Sequence, residues 1–194
     1  MDLKKLASVI FERSKALILQ PKEEWKTILD ENVTMNLVVR NYLLPLLLMS
    51  TLASLVGRII QKVNIGLDGS LLLADGLREF FGFLLAVYAS TYLVNELIKS
   101  FGGEKNLRRS ANLVIYSTTP SLIVSMVTGL IPALYPLGVL GLYSFYLFFV
   151  GIPILFDDIP EQKHIGFFLT SVLLMILVFA FIRYFLTTFL MAFA

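Results

Sequence analysis

Leu140-Gly141-Leu142-Tyr143-Ser144-Phe145-Tyr146-Leu147-Phe148-Phe149-Val150-Gly151-Ile152-Pro153 carries no charge along its whole length. The hydroxyls of Tyr143, Ser144 and Tyr146 interrupt it, Gly141 and Gly151 leave gaps in its surface, and Pro153 closes it. A helix facing only lipid needs nothing beyond Leu, Ile and Val. Hydroxyls and glycines at membrane depth point instead to a helix packed against other helices. The stretch predicts an all-α membrane protein.

Moving outward, Ile131-Pro132-Ala133-Leu134-Tyr135-Pro136 reads as a tight, uncharged turn from a preceding span, and the polar run 157–164 leads to a following one. Asp68-Gly69 and Asp75-Gly76 are turn signals in a loop over 61–76, and Gly102-Gly103 suits a helix stop. Five transmembrane helices result, at about 42–60, 77–98, 111–130, 137–156 and 165–190, each long enough for a hydrocarbon core of roughly 30 Å. Residues 42–194 form the membrane domain, and residues 1–41 a cytoplasmic or interfacial helical head.

Composition agrees. With 57% hydrophobic and 15% charged residues, the chain has too little polar surface to coat a soluble globule of 194 residues. A net charge of +2 gives no reason to expect nucleic acid as a partner. Cysteine is absent, which excludes disulfides and thiolate metal sites.

The head is helical in pattern. Leu3, Leu6, Ile10, Leu17 and Ile18 recur near the helical period with Phe11 beside them, while Lys4, Lys5, Glu12, Arg13 and Lys15 fall largely elsewhere. Such an amphipathic segment lies in the headgroup region or docks on the protein's own helix ends. Gln20-Pro21 breaks the pattern, and Pro21-Lys22-Glu23-Glu24-Trp25 restarts it with proline first and acids in the opening turn. Trp25, the only tryptophan, reads as an interface anchor. Charges continue to Arg40 and the early apolar positions are periodic, so no signal peptide is expected.

The basic residues orient the spans. With the N-terminus cytoplasmic, that side holds Lys4, Lys5, Arg13, Lys15, Lys22, Lys26, Arg40, Lys99, Lys105, Arg108, Arg109 and Lys163, against Arg58, Lys62 and Arg78 on the other. This asymmetry predicts N-in and C-out.

Small residues mark the expected helix contacts. Ser117, Ser121 and Ser125 are four apart in the third span, and Gly138 and Gly141 three apart in the fourth. Pro120 should kink or break the third span, with Ser117 and Thr119 helping to satisfy the carbonyls it frees. Together with Tyr143, Tyr146, Gly151 and Pro153 these residues form the expected packing core. Glu79 and Arg183 are expected at similar depth and pair as an intramembrane ion pair, the alternative being separate snorkelling to headgroups. Asn95 and Glu96 read as boundary residues. Asp157, Asp158, Glu161 and His164 lack the ligand spacing of a metal site.

No catalytic constellation is found: no glycine-rich phosphate loop, no zinc helix motif, no paired carboxylates within a span. No metal or other cofactor is expected. A proline-broken third span beside Tyr143, Ser144 and Tyr146 leaves a small-molecule or ion transporter open as an alternative.

Leu43-Leu44-Pro45-Leu46, Phe101-Gly102-Gly103, Tyr116-Ser117-Thr118-Thr119-Pro120 and the run Leu142 to Pro153 together resemble the Yip family of Ypt/Rab-interacting membrane proteins. Leu19-Gln20-Pro21-Lys22-Glu23-Glu24-Trp25 resembles the lead-in of its prokaryotic branch, which implies a prokaryotic cell membrane. The resemblance implies five spans and a cytoplasmic N-terminus, in agreement with the charge asymmetry. It also implies binding of small GTPases in vesicle trafficking for eukaryotic members, and no assigned activity for prokaryotic ones. The expected function is a membrane scaffold or adaptor, with the lipid bilayer, a protein partner and a second copy of the chain as candidate contacts.

Overall fold

The computed structural model describes residues 3–62 and 69–191, and every regular element among them is helical. Helix α1 spans Leu3–Leu19 and α2 spans Pro21–Asp30. Pro21 opens α2 with Glu23 and Glu24 in its first turn, where the helix dipole favours them, and Asn32 ends the segment with a left-handed φ of 55°. A continuous helical rod follows: α3 (Met35–Val38), a widened π-helical turn over Val39–Leu43, and α4 (Leu44–Lys62). The long α5 (Gly69–Ser100) stops at Gly102, whose φ of 93° only glycine adopts readily.

Asn106 then caps α6 (Leu107–Ser117), its Oδ1 accepting from the Arg109 amide at 3.1 Å. The expected interruption of this rod is present, and the break falls at Thr118, before α7 (Thr119–Leu130). Pro120 lies in the first turn of α7, where a missing N–H costs no helical bond. Thr118 and Thr119 donate to the carbonyls of Ile115 and Tyr116, both at 2.7 Å. Ser117, expected to help, has no hydrogen-bond partner.

The turn expected over 131–136 is instead the start of a 3-10 helix, Pro132–Leu142, which feeds α8 (Tyr143–Leu155). Pro132 and Pro136 lack amide donors, and Gly138 and Gly141 are poor helix formers, so this run cannot build a regular α-helical ladder. A short 3-10 turn, Glu161–Lys163, precedes α9 (His164–Met191).

Four stretches of the described residues are long and apolar enough to cross a membrane: Met35–Gln61, Leu107–Leu130, Pro132–Leu155 and Glu161–Phe189. The expected span 77–98 lies within α5, which is not among them. Glu79 and Glu96 bracket its uncharged stretch 80–95, which is about 24 Å long at 1.5 Å per residue and short of a full hydrocarbon core. Asp75-Gly76, expected as a turn, is an internal part of α5, with Gly76 against Leu55 of α4. Asp68 lies outside the described residues.

Successive rods alternate in direction between a head end, near residues 35, 100, 107, 155 and 164, and a far end. Tyr42 meets Thr119 and Ser54 meets Gly129, so α4 and α7 run side by side in the same sense. Phe101 contacts Phe167, and Phe83 contacts Phe179, so α5 and α9 run antiparallel. Gly57 permits the closest approach: a Cβ there would overlap the Gly129 carbonyl.

Candidate functional site

Two features concentrate polar chemistry, a joint toward the head end and a cavity toward the far end. The joint begins with Gly151 in α8. An added Cβ there would lie 2.6 Å from Leu113 Cδ1 and 2.8 Å from Trp25 Cε2, so the missing side chain is what seats the indole. Trp25 is fully buried, donates from Nε1 to the Leu147 carbonyl at 3.1 Å, and meets Tyr116 edge-on with ring centroids 6.4 Å apart. It is therefore a docking residue and not the interface anchor expected. An amphipathic aromatic before a span suits either role, and the deciding partner is remote in sequence.

A relay of hydroxyls continues the joint. Thr119 Oγ1 donates its one proton to the Tyr116 carbonyl and so accepts from Tyr42 OH at 2.8 Å. Tyr42 OH must then accept from Ser14 Oγ at 3.1 Å. The relay ties α1, the π-helical turn and the α6–α7 break together. Arg13 adds ion pairs to Glu24 and Glu31 and lies 5.7 Å from the Tyr116 ring centroid. Burial, the largest influence on Arg13, lowers its pKa, but the Glu31 hydrogen bond and the charges of Glu24 and Glu31 outweigh it and hold it above the ordinary arginine value. Finally, Tyr143 OH donates to the Ile18 carbonyl at 3.0 Å. Tyr143 lies about 18 Å along α8 from Leu155, so the α1–α2 corner rests against the side of the bundle and not on its end.

The cavity, of about 980 Å³, takes lining from every rod. Phe83, Phe145, Phe148, Met175 and Phe179 form an apolar wall, and Ser117, Ser121, Ser125 and Thr128 of the broken third rod form a hydroxyl wall opposite in character. Ser54, Glu79, Arg58, Arg78 and Arg183 line it toward the far end. Glu79 accepts from Ser54 Oγ at 2.8 Å and pairs with Arg58 at 3.5 Å. Asp75 pairs with Arg58 at 2.5 Å and with Arg78 at 2.7 Å.

The expected Glu79–Arg183 pair is thus replaced by Glu79–Arg58. Helices α4 and α5 are consecutive and packed together, which places Arg58 beside both carboxylates. Arg183 faces the same cavity with no ion-pair partner among the described residues.

The residues expected as a packing core divide. Pro120 and Gly151 are buried, and Ser144 Oγ accepts from the Ser121 amide at 3.1 Å beside Gly141. Ser117 is buried but lines the cavity, and Ser125 is exposed. Gly138 faces open space, and Tyr146 and Pro153 are exposed. Small polar residues four apart have the same spacing whether they face a helix or a cavity, so periodicity alone could not separate the two. At the head end, Asn95 accepts from Ser110 at 3.3 Å and Glu96 pairs with Lys105. Asp158 accepts from the Glu104 amide, and His164 donates from Nε2 to the Ile159 carbonyl at 2.9 Å.

Comparison with curated proteins and with solved structures gave no match. The Yip1 domain model, by contrast, matches residues 15–182, a range that takes in Trp25, the α6–α7 break, Gly151 and most of α9. This multi-pass, all-helical membrane protein belongs to the Yip1 domain family.

Proposed function

We propose that the chain is an integral-membrane scaffold or adaptor of the Yip type. In this reading it has five spans, with α5 as the fifth, an N-terminal head (1–41) on the cytoplasmic side and its C-terminus outside. The observation that carries it is the seated head: the buried Trp25 and the Ser14–Tyr42–Thr119 relay fix α1 and α2 as a rigid surface beside the spans. Away from the α1–α2 corner that surface exposes Phe11 and Lys15, an apolar and basic pair suited to a protein partner. The fifth crossing is supported by the antiparallel packing of α5 on α9, whose apolar length supplies the neighbour that a charged-ended helix needs.

A carrier built on the third-rod break gains no support from the joint. There the Thr118 and Thr119 hydroxyls are already bonded to carbonyls of the preceding helix. The reading assigns no catalytic activity and no cofactor.

Single-cysteine labelling on the cysteine-free chain tests the topology. Positions 26 and 104 should react only from the cytoplasmic side; reaction of position 104 with an outside reagent would overturn the orientation. For the adaptor role, site-specific crosslinking from positions 11 and 15 should capture one reproducible partner, or a second copy of the chain. Loss of every crosslink in intact membranes would count against it.

A further inference from the structure

Among the described residues, the far end of the bundle carries an unpaired cation. Arg58 and Arg78 are shared between Asp75 and Glu79, so two guanidiniums and two carboxylates neutralise one another. Among the described residues Arg183 is left over, within an apolar helix, exposed and on the wall of the 980 Å³ cavity. A cation in such a place is stable only if an anion or water meets it. One buried hydroxyl on the cavity lining also lacks a partner: Ser117 Oγ, in a residue only 4% exposed. Ser117 sits in a helix whose carbonyls could have taken its proton, yet it is turned to the cavity. Phe83, Met175 and Phe179, also on the lining, offer no strong hydrogen-bonding group.

We propose that this cavity binds a membrane phospholipid with an anionic headgroup. The phosphate pairs with Arg183, ester oxygens accept from the serine wall, and an acyl chain lies along the phenylalanines. A guanidinium forks onto phosphate oxygens, an unpaired hydroxyl requires an acceptor, and only an amphiphile satisfies both walls together. The volume is at the upper end of that of small-molecule sites, room for a headgroup and part of its chains. This inference is independent of the adaptor reading, since it uses neither the head nor a protein partner.

The test is native mass spectrometry of the delipidated full-length chain, titrated with phosphatidylglycerol, phosphatidylcholine and inorganic phosphate. Phosphatidylglycerol should bind about fivefold more tightly than phosphatidylcholine, the factor that roughly 1 kcal/mol per basic residue gives. Arg183→Gln should remove that preference. Ser125→Phe, which fills the cavity from an exposed position, should lower the affinity for both lipids and decides the matter if Arg183→Gln fails to fold. Unchanged Trp25 emission verifies folding of each variant. Equal affinity for the two lipids, an unaltered preference in Arg183→Gln, or unaltered binding in Ser125→Phe would overturn the proposal. Displacement of the lipid by millimolar inorganic phosphate would show a free-anion site and overturn it equally.

Discussion

Tyr42 shows how one atom joins three parts of the chain. Its hydroxyl takes a proton from Ser14 in the head and gives one to Thr119 at the helix break, all out of reach of water. Tyr42→Phe keeps the ring against Tyr116 but strands both neighbours, which should cost about 1–3 kcal/mol because a buried donor or acceptor is left unmade. Thermal unfolding in detergent measures it, and Thr119→Val should add little further once Tyr42 is gone. None of these partnerships was legible in the sequence. Trp25 could be picked out as the sole tryptophan, but its seat depends on Gly151 and Leu113, which only the fold brings to it. Arg13, in the same joint, stays protonated. Its pKa is raised, so its stabilising charge is fully present below the ordinary arginine range and is lost only as pH rises through the higher value, leaving no dependence from this group across neutral pH.

At the scale of elements, hydrophobic runs and glycine signals carried most of the reading. The third, fourth and fifth spans, the stop at Gly102 and the interruption near Pro120 were all legible because each follows from local chemistry. Two elements were not. The turn signal at Asp75-Gly76 is overridden by packing of Gly76 on Leu55, and the Pro132–Leu142 run takes a 3-10 form that apolar composition does not distinguish from α. The ion pairs follow the same rule: depth along two helices suggested Glu79–Arg183, whereas adjacency of α4 and α5 selects Arg58. Arg58→Gln leaves Asp75 and Glu79 short of a cation and should destabilise by about 1 kcal/mol, since all three side chains keep roughly a third of their exposure. Arg183→Gln should be near neutral in lipid-free detergent. Gly57→Leu should do far more, because the new side chain meets the backbone of α7 and the helices must part, a loss of about 3 kcal/mol or more in the same unfolding assay.

For the molecule as a whole, the arrangement joins a closed head end to a far end that holds a polar-walled cavity. The head was open to two readings in the sequence, an amphipathic helix on the headgroups or one docked on the protein, because a single apolar stripe serves either surface. The structure buries Ile10 and Leu17 against the bundle while leaving Phe11 and Leu19 exposed, so α1 divides its apolar residues between the protein and its surroundings. The docking of the head on the bundle is the central claim, and the chain's only tryptophan, in α2, reports on it directly. The measurement is quenching of Trp25 emission in nanodiscs, by acrylamide from water and by brominated chains from the lipid. A docked head predicts blue-shifted emission that neither quencher reaches efficiently, with Gly151→Leu, which evicts the ring, restoring quenching. Strong quenching of the unmodified protein by brominated lipid would place Trp25 in the bilayer interface and contradict the docked head.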